Sequence, residues 1–105
     1  MAVVLVLKQN DTFPPVEATL TDEDGPINLT EATSVKFIAK SATHVIEGNC
    51  TIIKATEGVV TYLWASKDTE NPGVYRVEYK IIWKSGGIQS VPNQSYDEIE
   101  IEESL

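Results

Sequence analysis

Cysteine occurs once in this sequence, at Cys50, and histidine once, at His44. A single thiol excludes any internal disulfide, so the core must be held by packing alone. One thiol and one imidazole cannot make a structural zinc site without carboxylate help. Bases are scarce as well: 8 Lys plus Arg stand against 16 Asp plus Glu, a formal net charge of −8. Such an excess repels phosphate, which argues against binding to nucleic acid or to an anionic membrane surface. No apolar run approaches the roughly 20 residues of a helical bilayer span. The opening Met1-Ala2-Val3-Val4-Leu5-Val6-Leu7-Lys8 is too short for the apolar part of a secretion signal and has no basic stretch before it. The expectation is a protein made in a cytoplasm. The four Asn-x-Ser/Thr matches, at Asn10, Asn28, Asn49 and Asn93, then read as turn chemistry.

A helical period of 3.6 is also missing; the period is two almost throughout. Val74, Arg76, Glu78 and Lys80 alternate with Tyr75, Val77, Tyr79 and Ile81, the pattern of a strand with one wet face. Strands are predicted over 3–8, 16–21, 34–40, 45–55, 59–65, 74–83, 88–91 and 96–102. Thr30 is placed to cap a helical turn over 30–33. Between the strands lie turn clusters: Pro14-Pro15, Asp22-Glu23-Asp24-Gly25-Pro26, Thr56-Glu57-Gly58, Asp68-Thr69-Glu70-Asn71-Pro72-Gly73, Ser85-Gly86-Gly87 and Pro92-Asn93. Short strands with turns every 8–12 residues or so indicate a β-sandwich or barrel. With 42% hydrophobic residues in 105, the chain has enough apolar surface to offset an ordering cost of roughly 1–2 kcal/mol per residue. One sandwich domain over 1–105 is expected, with 1–15 forming its first strand and a docking arm.

Catalytic and metal-binding patterns are weak. Aligning Gly25 with position 6 of a calcium loop puts Asp22 and Asp24 at ligand positions but Leu20 at the first. Asp22 to Gly25 therefore reads as a hairpin in which carboxylates cap backbone donors. His44 has no Ser or Cys partner in a recognisable nucleophile context. No catalytic residue, cofactor or metal ligand is expected. Glu98, Glu100 and Glu102 read as a charged edge strand. Trp64, Tyr75, Tyr79 and Trp83 are expected on adjacent strands, as core packing between sheets. An alternative places Trp64, Trp83 and Tyr96 outside, as a platform stacking on host cell-wall saccharide. Tyr75 follows the 68–73 turn and stands two residues before Val77. That is the place of the corner tyrosine of immunoglobulin-like domains, whose hydroxyl ties back to upstream backbone, with Val77 where antibody domains carry a cysteine. The fold class expected is all-β, an immunoglobulin-like antiparallel β-sandwich with no disulfide.

The ordered motifs are Leu7-Lys8-Gln9-Asn10-Asp11-Thr12 with Pro14-Pro15, Ala18-Thr19-Leu20-Thr21-Asp22-Glu23-Asp24-Gly25 and Ile27-Asn28-Leu29-Thr30-Glu31-Ala32. Val35-Lys36-Phe37, Gly58-Val59-Val60-Thr61-Tyr62-Leu63-Trp64, Asp68-Thr69, Gly73-Val74-Tyr75-Arg76-Val77-Glu78 and Gly86-Gly87-Ile88 with Val91-Pro92-Asn93 follow. In this order they resemble the N-terminal domain of upper baseplate proteins from siphophages of Gram-positive bacteria. The resemblance implies an immunoglobulin-like sandwich in the virion, at the tail tip or baseplate. It implies a structural role, docking onto other phage tail or baseplate proteins, with a homo-oligomer in the virion as one arrangement. The surface expected to dock comprises Val4, Val6, Lys8, Asp11, Phe13 and Pro14 together with Glu98, Glu100 and Glu102. Members of that family often continue into a linking helix and a receptor-binding-protein holder. This sequence ends at Leu105, leaving open a free-standing virion protein or part of a longer one.

Overall fold

The fold is all-β, described for residues 4–91 and 97–105 in a computed structural model. Eleven strands follow in order: β1 (Val4–Lys8), β2 (Val16–Thr19), β3 (Thr21–Asp22), β4 (Gly25–Pro26), β5 (Ala32–Lys40), β6 (Val45–Asn49), β7 (Thr51–Lys54), β8 (Val59–Tyr62), β9 (Gly73–Trp83), β10 (Ile88–Val91) and β11 (Asp97–Glu102). A 3-10 turn over Ala55–Glu57 is the only helical element among the described residues. The larger sheet runs β1-β11-β9-β5-β6, with β10 also on β9; the smaller runs β2-β8-β7; β3 and β4 form a hairpin.

The two-residue period of β9 makes it the central strand of the larger sheet. Tyr75, Val77, Tyr79 and Ile81 are buried, while Val74 and Arg76 are exposed. β5 pairs with it along nearly its whole length, from Ala32↔Trp83 to Lys40↔Arg76. On its other side β11 covers the first half and β10 the second. The hairpin into β10 is closed by Trp83 N–H to the Gly87 carbonyl (2.9 Å) and Gly86 N–H to the Trp83 carbonyl (2.9 Å). β6 and β7 are nearly continuous, but Cys50 between them marks a change of sheet. Its N–H donates to the Val35 carbonyl at 2.8 Å as the chain crosses over.

The core lies between the sheets and is aromatic at its centre. Phe37 of β5 stacks on Tyr62 of β8, with centroids 4.2 Å apart and planes 9° from parallel. Trp64 meets both edge-on, at 5.7 Å from Phe37 and 5.5 Å from Tyr62. Tyr79 meets Phe37 edge-on at 5.8 Å. Each such pair contributes about 0.5–1.5 kcal/mol beyond the burial of its area. Gly48 of β6 leaves the room Tyr62 needs, since a Cβ there would lie 2.7 Å from Tyr62 Cε1.

The structure departs from the sequence reading at several places. No helical turn forms over 30–33; Asn28 Oδ1 takes the Thr30 N–H (2.9 Å) and hydroxyl, and β5 starts at Ala32. β8 stops at Tyr62, before Trp64. Trp64 and Tyr75 do not sit on neighbouring strands, because β8 and β9 belong to opposite sheets. β11 is not an edge strand: β1 adds parallel to it, from Val4↔Glu98 to Lys8↔Glu102, and takes the edge itself.

Burial also sets the alkaline behaviour. It pushes the Cys50 thiol up to about 12. The Tyr62 phenol is raised further, first by burial, then by its hydrogen bond to the Asp68 carboxylate and the nearby charges of Asp68 and Cys50. Both groups hold protons in the folded chain that the unfolded chain has already released. Stability therefore falls as pH rises above the unfolded thiol's value near 9.0. The urea midpoint should drop between about pH 9 and 11, and Cys50→Ala should flatten the first part of that fall. Gly48→Ala should cost about 1–3 kcal/mol, by pushing Tyr62 off Phe37, and should alter the near-UV circular dichroism.

Candidate functional site

The N-terminal segment is seated on the sandwich. Leu7 of β1 is 3% exposed and belongs to the core, while Val6, pointing outward, is 50% exposed. Lys8 Nζ pairs with Glu102 Oε1 at 2.9 Å across the β1–β11 ladder. Beyond β1, Gln9 N–H donates to the Glu102 carbonyl (2.7 Å) and Asn10, at φ 71°, donates to the Thr69 carbonyl (3.0 Å). Ser104 Oγ donates to the Gln9 carbonyl at 2.8 Å. The Asp11 carbonyl accepts the hydroxyl of the fully buried Thr69 (2.7 Å), and the Pro14 carbonyl accepts the Trp64 indole N–H (2.9 Å). Residues 9–15 are thus fastened to the 64–71 loop.

Six of the nine residues expected to dock share the β1–β11 ladder. Val4, Val6 and Lys8 stand in register with Glu98, Glu100 and Glu102. Strand alternation puts Val6 and Lys8 on the same outer face as the three glutamates, because Leu7, Ile99 and Ile101 are buried. Asp11 turns its carboxylate back on the Lys8 N–H at 3.2 Å. Phe13 is 78% exposed.

Trp64 does not stand outside. It is 7% exposed, between Phe37 and Tyr62, with its N–H satisfied by Pro14. A tryptophan following a strand of the small sheet meets the larger sheet across the core, so its ring is spent on packing. Trp83 is half-buried at the end of β9, its N–H on Gln89 Oε1 at 3.2 Å. Tyr96 lies outside the described residues. Trp64 and Trp83 therefore form no exposed platform.

Tyr75 is fully buried and its hydroxyl donates to the Asn71 carbonyl at 2.6 Å, four residues upstream. Burial raises its pKa, opposed by the Ser41 hydroxyl. One contact escaped the sequence reading. Asp68 Oδ2 accepts both the Tyr62 hydroxyl and the Ala65 N–H (2.8 Å), closing the 65–68 turn over the core. The Asp at the head of the Asp68–Gly73 cluster was the available signal. At the β3–β4 hairpin, Asp22 Oδ1 accepts the Asp24 N–H (2.8 Å) and Gly25 takes φ 111°. His44 lies exposed in the β5–β6 turn, its Nδ1 2.7 Å from Thr43 Oγ1. Among the described residues no group of three or more His, Cys, Asp or Glu is placed to hold a metal ion. A shallow hollow of about 230 Å³ opens on the outer face of the larger sheet, lined by Ile38, Lys40, Arg76, Val77, Glu78 and Lys80.

No protein-family profile and no curated protein matches the chain. A solved structure does: the N-terminal domain of phage TP901-1 ORF48, with a TM-score of 0.65 at 15% sequence identity, covering 97% of this chain and 85% of that one. The chain thus shares its fold, end to end, with a domain of a phage protein.

Proposed function

We propose that this chain is a structural, non-catalytic domain of a phage tail tip or baseplate, docking through its surface onto neighbouring tail proteins. The observation that carries the reading is the fold likeness to the phage TP901-1 ORF48 domain over 97% of the chain. The motif order noted in the sequence supports the same setting. Further support comes from the architecture. The strand orders β1-β11-β9-β5-β6 and β2-β8-β7, with β1 parallel to the last strand, fit an immunoglobulin-like sandwich. The Tyr75 bond to Asn71 fits its corner tyrosine.

Docking is assigned to the N-terminal side. Among the described residues β1 is an outermost strand of the larger sheet, suited to strand addition by a neighbour. Val6, Phe13 and Pro14 would supply apolar contact. Lys8, Asp11 and the Glu98, Glu100 and Glu102 row would supply charge that sets register more than affinity. Because Leu7 and the 9–15 segment also hold the fold together, removing residues 1–15 would unfold the domain and test nothing about docking. Point changes on the outside are the usable probe.

Antibodies raised against the purified chain should decorate the tail tip of particles of the phage that encodes it, seen by immunogold microscopy. Decoration of the head, or absence of the chain from washed particles, sinks the assignment. Val6→Glu with Phe13→Glu should leave the circular dichroism unchanged and lower incorporation into particles at least about tenfold.

A further inference from the structure

One row across the outer face of the larger sheet holds two cations and no acid. It runs Asn49, Lys36, Lys80 and Ser90, from β6 through β5 and β9 to β10. Lys36 and Lys80 stand directly opposite each other, and the residues beside them on the outer strands are uncharged. Both lysines are half-buried. Among the described residues neither is in an ion pair. Like charges set directly opposite destabilise a sheet, so this pair costs the isolated fold stability.

The rows on either side differ in kind. Two residues towards the β9–β10 hairpin, Ile82 and Ile88 face each other across the strands, and Ile88 is 68% exposed. Two residues the other way, Ile38 stands between Glu47 and Glu78, and Ile38 and Lys80 both line the shallow hollow. Successive rows on one face of a strand are about 6.5–7 Å apart. The face thus reads apolar, doubly cationic, apolar, at the spacing with which an extended chain presents every second side chain. The next cation pair, Lys40 opposite Arg76, is not of this kind, because Glu98 of β11 faces Arg76.

The geometry points to an extended acidic segment of another protein as the occupant. Its Asp or Glu sits between Lys36 and Lys80, and an apolar side chain two residues to either side lies over Ile38 and over Ile82 with Ile88. The carboxylate supplies the counter-charge that the row lacks, held by charge-assisted hydrogen bonds from two ammonium groups. The apolar neighbours keep water from it and cover the isoleucines. A polyanion such as nucleic acid fits worse. Its next charge would fall over Ile38, beside Glu47 and Glu78, against a chain of net charge −8. The row includes neither β1 nor β11, and the inference does not depend on the phage assignment.

Amide NMR spectra of the isotope-labelled chain, titrated with the synthetic peptide Ser-Val-Ser-Asp-Ser-Val-Ser, test the proposal. Shifts should gather on residues 34–38, 78–82 and 88–90. They should saturate only at about 1–10 mM, because a short flexible peptide bears its own ordering cost, and weaken at about 0.5 M salt. The same peptide with Lys in place of Asp should leave these amides unmoved. K36Q/K80Q, with circular dichroism unchanged, should abolish the shifts and raise the urea midpoint, because the like-charge pair is gone. Amides in these segments that do not respond, an equal response to the Lys peptide, or binding that survives K36Q/K80Q would each overturn the proposal. A lower urea midpoint in K36Q/K80Q would do the same, since the pair would then serve the fold. Tighter binding of oligothymidylate than of the peptide at the same amides would make the ligand a polyanion and overturn the acidic segment.

Discussion

The stack of Phe37 on Tyr62 is the contact on which the other packing converges. It joins a strand of the larger sheet to a strand of the smaller one, and the chain has no disulfide to share that task. Trp64 and Tyr79 close on it from the sides. Around it the structure makes specific allowances. Gly48 withholds a side chain where the Tyr62 ring lies, Asp68 accepts the Tyr62 hydroxyl, and the turn that follows is tied by the same carboxylate. A polar tip on a buried aromatic must find a partner, and here that partner also shapes the loop above the core.

That loop in turn receives the N-terminal segment. Thr69 is wholly buried yet polar, and its hydroxyl is satisfied by the Asp11 carbonyl; the Trp64 N–H is satisfied by the Pro14 carbonyl. Two prolines break regular pairing at this point. The segment therefore serves side-chain donors of the core in place of a strand neighbour. Residues 9–15 are both a structural clamp and a bearer of exposed groups such as Phe13, so surface and stability are coupled there.

On the surface, the division of charge matters more than its total. An acidic protein resists association in general, but on the outer face of the larger sheet the cations Lys8, Lys36, Lys40, Arg76 and Lys80 balance Glu47, Glu78, Glu98, Glu100 and Glu102, with Glu98 directly opposite Arg76.

The sequence by itself determined the strand class. The alternation along β9, the turn clusters and the lack of helical period made a two-layer β protein legible, and the single Cys50 settled that packing, not sulfur, holds it. The position of Tyr75 after its turn was legible for the same reason, since turn chemistry acts over a few residues. Which strands became neighbours was decided only in three dimensions. Glu98 to Glu102 read as an edge because nothing local reveals that β1, some ninety residues earlier in the chain, adds parallel beside it. Trp64 read as core with an outside platform left as the alternative, because its burial depends on Phe37 reaching across from the other sheet. Local backbone preference is written in neighbouring residues; the pairing of distant strands depends on hydrogen bonds and packing between segments that share no sequence proximity.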